Sequence, residues 1–410
     1  MTDAPATPPL RDVRVLEVGS FFAGPFCGTQ LADLGADVIK VEHPVEGDHG
    51  RHFGPFLEGE SSHFVRLNRN KRSLAIDLRS DDGRAVFRRL AGAVDIVIEN
   101  LRPGSMRELS LDYHTVLARE NPRLIYIAVS GWGQDGPLSA QPGQDIMAQA
   151  RSGLMSITGL PDGDPVKVGV PICDLTCALY ATIAALAALR SRDGTGRGQF
   201  IDVSLFESAV ALSIWEAGLF FATGQIPRAL GSAHQNAAPY QAIRSADGSF
   251  TVGAVTQRNW IALCEALGLT MLVDDARFID EGMRIRNRAA LIAIIEAVTR
   301  TRPTREWLGV LETAGVPCAP IQNYREVYND PHLIAREYFW DADHPTIGPV
   351  RQLGSPMRFS ETPVRRGKAG PRLGEDTAAV LAEFGFTDAE TGDLLQRGVV
   401  RGLPPQKAVP

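Results

Sequence analysis

Asp174 is the residue of this chain with the clearest potential for chemistry. It lies in the segment VGVPICDLTCALYATIAALAAL, between an irregular Gly/Pro stretch and a long apolar helix. Aspartate is among the best N-cap residues, so the position first predicts a helix cap. A helix start also favours an ionised carboxylate, and a fixed carboxylate in a dry pocket can attack a thioester. The two roles do not exclude each other.

A glycine-rich turn between the first predicted strand and its helix is a candidate anion site. Gly19, Gly24 and Gly28 could bring backbone amides and a helix N-terminus against a phosphate. The dinucleotide fingerprint GxGxxG is absent, and Pro25 and Phe26 after Gly24 exclude a P-loop. Tight packing of a strand against a helix explains the same glycines, and their spacing favours neither interpretation.

Basic side chains lie near two other predicted strand ends. In RNKRSLAIDLRSDDG they lie in or beside a short strand and the loop after it, where a solvated face would explain them: Arg69, Lys71, Arg72 and Arg79. In ENLRPGSM, Asn100 and Arg102 follow another strand. Ligands of open α/β sheets bind at the carboxyl ends of strands, so these loops and the one that carries Gly24 can converge at one edge. Convergence favours a ligand that bears phosphate.

The elements that must position these residues follow an alternating pattern. Four runs rich in β-branched residues, VRVLEV, ADVIKVE, VDIVIEN and RLIYIAVSG, alternate with helical segments such as GTQLADLG, DDGRAVFRRLAG and LDYHTVLAREN. Strands that are apolar on both faces belong in a parallel sheet covered by helices, so the pattern predicts a doubly wound α/β domain.

A smaller α+β unit is predicted to follow. PYQAIRSADGSFTVGAV is typical of a hairpin about its Ala-Asp-Gly turn, and helices are expected near RNWIALCEALG, NRAALIAIIEAVTR and TREWLGVLETAG. From about Trp340 the tail predicts two short strands and a final helix in EDTAAVLAEFG that pack back on the first domain. We place the boundaries at 1–222 for the first part of the large domain, 223–335 for the small domain and 336–410 for the returning segment.

Composition excludes several classes of function. The 410 residues are 44% hydrophobic and 22% charged with a net charge of −6, which is typical of a globular protein and gives no basic surface for nucleic acid. The five cysteines form no CxxC pair and no His stands at metal-ligand spacing, so no metal site is expected. MTDAPATPPL does not resemble a secretory signal, and the apolar run from Leu175 to Leu189 is shorter than the ~20 residues of a membrane span. We therefore expect a cytoplasmic protein that does not bind membranes.

Several segments in the same order resemble the class III CoA-transferase family (CaiB/BaiF type), whose members include formyl-CoA transferase. The similarity rests on RVLEVGSFFAGPFCGTQLADLGADVIKVEHPVEGD, NRNKRSLAIDLRS, VIENLRPGSM, VSGWGQDGP and GTGRGQFIDVSLFESAV, and it continues in AGVPCAPI and GSPMRFS. In that family the nucleophile is an aspartate ahead of an apolar helix, and Asp174 matches its position. The resemblance implies an interlocked homodimer with a Rossmann-like CoA-binding large domain, CoA or acyl-CoA as substrate and no tightly bound cofactor.

The resemblance also implies a set of residues against CoA. These are Phe22, Ala23, His43, Arg79, Asn100 and Arg102. Where many relatives have Glu then Arg before a Leu, this chain has Arg107-Glu108-Leu109, so Arg107 is the local substitute for a phosphate contact.

The same scaffold supports racemisation next to a thioester with an Asp and a His in a GHD-type motif. Here the motif is Gly143-Gln144-Asp145, and glutamine cannot exchange protons in the useful pH range. We therefore favour CoA transfer through aspartyl anhydride and aspartyl-CoA thioester intermediates on Asp174, with Gln144 as a donor to an acyl or acceptor oxygen and Asp145 in a structural role.

Three alternatives to CoA transfer remain. They are an acyl-CoA racemase or epimerase, a non-catalytic CoA-binding protein and, with the least support, a nicotinamide oxidoreductase. For the transferase, we expect a small dicarboxylate as the acid, with succinyl-CoA as a possible donor. Arg51, His52 or His234 could pair its second carboxylate, and an exposed surface explains them equally well.

Overall fold

The computed structural model describes residues 7–403, which form two compact units. The first unit contains residues 7–154, 167–217 and 334–403, and the second contains 155–166 and 218–333. Residues 155–166, which the sequence analysis kept in the large domain, cluster with the second unit. Residues 1–6 lie outside the described residues. They begin the segment in which no secretory signal is expected.

A seven-stranded sheet organises the first unit. In spatial order its strands are β14 (Val400–Arg401), β5 (Arg72–Ile76), β2 (Asp37–Glu42), β1 (Arg14–Val18), β6 (Ile96–Glu99), β7 (Ile125–Ser130) and β8 (Phe200–Ser204). All neighbours are parallel except β14, which pairs antiparallel with β5 at the edge. Every residue of β6 and β7 is buried, because helices cover both faces of the sheet. The predicted doubly wound α/β class is confirmed.

Helices alternate with these strands along the chain. Up to residue 223 they are α1 (Ala23–Asp33), α2 (Phe64–Leu67), α3 (Asp81–Ala91), α4 (Ser105–Glu108), α5 (Ala118–Glu120), α6 (Asp145–Arg151), α7 (Leu154–Ile157), α8 (Ile172–Thr195), α9 (Leu205–Val210) and α10 (Ile214–Thr223). A π-helical turn, Tyr113–Leu117, precedes α5, a 3-10 turn covers His49–His52, and β3 (Phe56–Leu57) pairs with β4 (Glu60–Ser61). Gly196 ends α8 at φ 71°, a left-handed conformation in which only glycine avoids strain.

The second unit has its own core. Its strands are β9 (Tyr240–Arg244), β10 (Ser249–Gly253) and β11 (Cys318–Pro320). The following helices are α11 (Gln257–Ala266), α12 (Glu281–Arg286), α13 (Arg288–Thr299), α14 (Thr304–Thr313), α15 (Tyr324–Val327) and α16 (Pro331–Ala335), with a 3-10 turn at Thr270–Leu272. The predicted hairpin and the three predicted helices are all present. Trp260, Phe250 and Phe278 are buried between sheet and helices.

The C-terminal tail continues beyond the predicted final helix. The two predicted strands are β12 (Phe339–His344) and β13 (Gly348–Leu353), and the predicted helix is α17 (Thr377–Glu383). The prediction that α17 is the last helix is wrong, because α18 (Asp388–Gln396) and β14 follow. The missed signal is a capping box, in which Thr387 and Glu390 bind each other's backbone amides at the start of α18.

Helix α8 is longer than the apolar run in the sequence suggested. By length and composition alone its 24 residues could cross a membrane. The helix packs against α1, α9 and β7, as a core helix of a globular unit does. A long apolar helix of this kind is therefore weak evidence for a membrane protein.

Candidate functional site

Asn100 joins two loops at the carboxyl edge of the sheet. Its side-chain Oδ1 accepts a hydrogen bond from the Ser20 amide at 2.9 Å, and its Nδ2 donates to the Ser20 carbonyl at 2.9 Å. A Cβ on Gly19 would lie 2.8 Å from Asn100 Oδ1, and one on Gly24 would lie 3.0 Å from it. These glycines therefore permit close packing of the two loops. The predicted convergence of the loops after β1 and β6 is present.

Asp48 holds the same turn from the other side. Its Oδ1 accepts from the Phe21 amide at 3.0 Å and from the Ser20 hydroxyl at 2.9 Å. Phe21 has φ 69°, which is strained for a residue with a bulky side chain. The turn thus has a fixed and strained shape immediately before α1.

A buried charge network, which the sequence pattern did not predict, lies beneath this turn. Lys40 Nζ lies 2.8 Å from Glu17 Oε1 and 2.7 Å from Asp48 Oδ2, and Lys71 Nζ lies 2.7 Å from Glu17 Oε2. Lys40 also donates to the Gly19 carbonyl at 2.9 Å. The two carboxylates raise the pKa of Lys40 against the effect of burial, so this lysine stays charged. The network positions the turn through its backbone.

The start of α1 has free amides in the described part of the chain. Phe22 is the N-cap residue and no side chain there accepts a hydrogen bond from the first turn. Phe22 is half-buried and Ala23 is buried. The first amides of a helix need partners from outside it, and an anion can supply them. This geometry suits the expected main-chain contacts of Phe22 and Ala23.

The basic cluster around β5 divides into two kinds of residue. Arg69 pairs with Asp33, Lys71 with Glu17, and Arg72 with Asp37 and Glu383. The prediction of a solvated face is wrong for these three, because their cations are held in ion pairs. Arg79 is exposed and has no ion pair within residues 7–403, so its guanidinium is available to a ligand.

His43 follows β2 at the same edge. Its Nδ1 accepts hydrogen bonds from the amides of Val45 at 3.3 Å and Glu46 at 3.2 Å. Nδ1 is therefore an acceptor, and in the neutral ring the proton is on Nε2. His43 can thus donate one hydrogen bond to a ligand.

A pocket of about 170 Å³ brings three of the predicted site residues together. Asn100, Arg102 and Gln144 all line it, with Trp132 among the other wall residues. Arg102 and Gln144 are exposed, and Gln144 is the N-cap residue of α6 without capping it through its side chain. The Gln144 amide therefore remains able to bind a ligand.

Arg107 lies on a different cavity. This neighbouring cavity of about 650 Å³ is lined by Arg107, Glu99, Asp112 and Asp202 among others, and shares Pro103 with the smaller pocket. Burial raises the pKa of Glu99 to about 8. The structure thus does not bring Arg107 together with Asn100 and Arg102 in one pocket.

Asp174 is the third residue of α8, and the N-cap residue is Pro171. The prediction that Asp174 caps this helix is therefore wrong. The capping carboxylate is that of Asp145, whose Oδ1 accepts from the amide of Cys173 at 2.8 Å and from that of Asp174 at 3.4 Å. Gln149 Nε2 donates to Asp145 Oδ2 at 2.6 Å. Asp145, next to Gln144, thus ties α6 to the start of α8.

The carboxyl group of Asp174 is hard to ionise. Burial and, second, the negative charge of Asp145 raise the pKa of Asp174 from 3.8 to about 7. The helix dipole acts in the opposite direction but contributes only about 0.3–1 kcal/mol, which is less than one pKa unit. The expectation that the dipole keeps this group ionised is therefore wrong. A partly buried carboxylate with a pKa near 7 is a stronger nucleophile than an exposed one.

The three residues considered for the second carboxylate of the acid do not line the pocket of Asn100, Arg102 and Gln144. Arg51 makes a bidentate pair with Glu42, with both distances 2.7 Å, so its guanidinium is engaged. His52 is exposed and bonded to the Glu46 carbonyl. His234 belongs to the second unit, where its Nδ1 accepts from the Asn236 amide.

Comparisons with known proteins identify the family to which the chain is similar. The family model described as CoA-transferase family III matches residues 10–377. Succinyl-CoA:glutarate CoA-transferase of Mus musculus is 36% identical over 401 residues, which cover 97% of this chain and 92% of that protein. Succinate–glutarate CoA-transferase of Agrobacterium fabrum is 37% identical over 392 residues, which cover 94% and 98%. The crystal structure of a CAIB/BAIF family protein from Brucella suis is 38% identical with a TM-score of 0.83, and the match covers 92% of this chain and 100% of that one.

Proposed function

This chain belongs to CoA-transferase family III, and from that premise we propose that it moves CoA from an acyl-CoA to a small dicarboxylic acid through covalent intermediates on Asp174. The observation that carries the proposal is the family match over residues 10–377, and the partly buried carboxyl of Asp174 at the start of α8, whose pKa burial raises to about 7, supports its role. Its partner Asp145 adjoins Gln144, which lines the pocket that Asn100 and Arg102 share.

Each chemical step exchanges one bond at an acyl carbon. An Asp174 oxygen attacks the thioester carbonyl of the donor, the C–S bond breaks, and a mixed anhydride and CoA thiolate form. The thiolate attacks the Asp174 carbonyl carbon and releases the donor acid, which leaves an aspartyl-CoA thioester. The acceptor carboxylate attacks that thioester and expels the thiolate, which then attacks the acceptor acyl carbon and restores the Asp174 carboxylate.

The partly buried position of Asp174 favours this series of chemical steps. A carboxylate that has lost part of its hydration is more reactive, and the developing oxyanions need fixed donors nearby. The amide of Gln144, next to the residue that caps α8, is the side-chain donor that we assign to an acyl or acceptor oxygen. One well-placed donor contributes roughly 3 kcal/mol to such a transition state.

CoA binding is assigned to the carboxyl edge of the sheet. The free amides of Phe22 and Ala23 would meet phosphate oxygens, and His43, Arg79 and Arg102 would add donors from side chains. Asn100 would act mainly by holding the turn, because its amide is already bonded in both directions to Ser20. Arg107 would contact CoA only from outside the pocket of Asn100 and Arg102, since it lines the neighbouring cavity.

The names of two relatives support the proposed class of acid. Both named relatives above act, by their names, on succinyl and glutaryl groups, which are small dicarboxylates. We therefore assign succinyl-CoA as the donor and a C4–C5 dicarboxylate as the acceptor. Arg51 is removed from the candidates for the second carboxylate because Glu42 already pairs with it.

A homodimer is also proposed. Side chains such as Ile183, 61% exposed, and Ile214, 76% exposed, leave an apolar surface on α8 and α10 of the single chain. An apolar groove of about 380 Å³ runs beside Tyr180, Ile183 and Val203. Exposed apolar patches of this kind mark protein interfaces. An interlocked arrangement and a cytoplasmic location remain predictions from the family resemblance and the sequence.

A panel of donors and acceptors tests the proposed reaction. The protein is incubated with succinyl-CoA, acetyl-CoA or propionyl-CoA, together with glutarate, butyrate or no acid, and the CoA esters formed are separated by chromatography. We expect glutaryl-CoA from succinyl-CoA at a rate at least ~10-fold above butyryl-CoA formation, since a site that pairs a carboxylate discriminates against its absence. Equal use of butyrate would contradict the dicarboxylate assignment, and no transfer from any donor would contradict the proposed function.

A further inference from the structure

A cavity of about 360 Å³ lies in the first unit away from the acyl-transfer site. It adjoins Asp33, the last residue of α1, whose first residue is Ala23 at the candidate CoA turn. Eleven helical residues span roughly 16 Å, so the cavity is at the opposite end of this helix. None of the residues assigned to CoA or to Asp174 chemistry lines it.

The cavity is basic although the protein is acidic overall. Four arginines and two carboxylates line it: Arg69, Arg358, Arg365, Arg366, Asp33 and Glu337. Arg69 is held by Asp33 at 2.5 Å, and Arg366 Nη2 donates to the Glu337 carbonyl at 2.6 Å. The guanidinium groups of Arg358 and Arg365 have no ion pair within residues 7–403. Two cations therefore remain for a ligand.

The segment that carries Arg365 is fixed by its backbone. The Arg365 amide donates to the Asp33 carbonyl at 2.7 Å, and Asn70 Nδ2 donates to the Arg365 carbonyl at 3.2 Å. The Gly367 amide donates to Asn70 Oδ1 at 2.9 Å. The segment has neither helix nor strand, yet it is anchored on both sides of Arg365. Its position next to α1 is thus built into the fold.

Aromatic rings complete the lining. Tyr338, Trp340 and Phe359 all line the cavity, and Trp340 packs against the small core beside α2. Flat rings stack on the bases and rings of ligands, and guanidinium groups bind phosphate in two-point contacts. A volume of about 360 Å³ is within the range of ligand pockets.

We propose that this cavity binds a phosphorylated ligand with a flat ring, an adenine nucleotide or the nucleotide end of a CoA molecule, at a second site separate from Asp174. Arg358 and Arg365 bind the phosphate groups and the aromatic side chains stack on the ring. The site is independent of the transfer chemistry, so its loss leaves the basal reaction intact.

Isothermal titration of the full-length protein with 5′-ADP tests the proposal. In the double variant Arg358→Gln, Arg365→Gln we expect the dissociation constant to rise at least ~10-fold, since each lost charged hydrogen bond to phosphate weakens binding by about that factor. The matched control, Arg305→Gln with Arg325→Gln, changes two exposed arginines of the second unit and leaves the affinity unchanged. Melting curves verify that the variants fold, and CoA transfer by the cavity variant equals that of the wild type.

Further titrations locate the site and its ligand. Because the CoA site at Arg102 would also bind phosphate, the 5′-ADP titration is repeated in Arg102→Gln, where we expect the added cavity substitutions still to weaken binding; a loss in Arg102→Gln but not in the cavity variant overturns the proposal. Tighter binding of 3′,5′-ADP indicates the nucleotide end of CoA, and tighter binding of 5′-ADP indicates a free nucleotide. Inorganic phosphate binding as tightly as both nucleotides, or no saturable binding of either, overturns the proposal.

Discussion

At the residue scale, two aspartates have different tasks. The Asp145 carboxylate accepts hydrogen bonds from the first amides of α8, and its negative charge helps to raise the pKa of Asp174. Asp174 does not cap the helix, and it is partly buried. A carboxylate with a structural role, Asp145, thus lies next to the one that we propose as the nucleophile, Asp174. By the family resemblance, we expect Gln144 at the position where a racemase would need a proton-exchanging group.

The pH dependence of CoA transfer follows from the raised pKa of Asp174. The nucleophile is the ionised form, so the rate rises with pH through about 7 and falls below it. Asp145→Asn removes the nearby charge but keeps an oxygen that can cap α8. We expect its pH profile of kcat/KM to move down by roughly one unit, because a neighbouring like charge raises a carboxyl pKa. An unchanged profile in an active, folded variant would contradict the assignment of the titrating group to Asp174.

At the element scale, the turn between β1 and α1 is held by side chains from several strands. Asn100 reaches it from the end of β6, Asp48 from the loop after β2, and Lys40 from within β2. The turn is strained at Phe21, so it needs these contacts to keep its shape. Substitutions that remove these contacts should weaken CoA binding.

Asn100→Ala tests the role of the turn in CoA binding. The change removes both hydrogen bonds to Ser20, and we expect the KM for acyl-CoA to rise roughly tenfold, which corresponds to about 1.4 kcal/mol. Asn121→Ala is the matched control, because Nδ2 of Asn121 also holds two backbone carbonyls, those of Ala91 and Val94, each at 3.0 Å. Steady-state kinetics in which both variants change KM equally would argue against a local effect at the turn.

Glu17→Gln tests the buried charge network. Two lysines lose their shared carboxylate in a fully buried site, and the free energy of unfolding should fall by about 3–5 kcal/mol. Arg300→Gln breaks the exposed pair with Glu296 and should cost less than about 1 kcal/mol. Urea denaturation followed by circular dichroism measures both. Similar small losses in the two variants would mean that the network contributes little to stability.

At the scale of the whole molecule, the single chain leaves apolar side chains of α8 uncovered. Ile183→Glu places a charge in the proposed dimer interface and should convert the protein to monomers, as measured by light scattering after size exclusion. Met271→Glu, at an equally exposed position of the second unit, should leave the assembly intact. A wild-type protein that elutes as a monomer would contradict the proposal directly.

Much of the fold could be predicted from the sequence because its strands are apolar on both faces and alternate with helices. The second unit was also predictable, since its hairpin turn and three amphipathic helices have local signals. The capping box of α18 is a local signal too, but it was overlooked. These features depend on neighbours within a few residues along the chain.

The chemistry of the site was only partly predictable, because its determinants are distant in sequence. Asp174 was found by its place before an apolar helix, but its cap comes from Asp145, 29 residues earlier. Its pKa depends on burial, which no local pattern reports. Glu17 and Lys40 lie between apolar residues inside β1 and β2, and the parallel register places them side by side. Opposite charges in the interiors of neighbouring strands are the sequence signal for such a pair.

Trapping the covalent intermediate tests the nucleophilic role of Asp174. The protein is incubated with succinyl-CoA and treated with borohydride, which reduces an aspartyl-CoA thioester to homoserine, and the peptide that contains Cys173 to Tyr180 is analysed by mass spectrometry. We predict homoserine at position 174 only when succinyl-CoA is present, and neither modification nor CoA transfer in Asp174→Asn. Undiminished CoA transfer by a folded Asp174→Asn protein, or an intermediate trapped on another residue, would contradict the account.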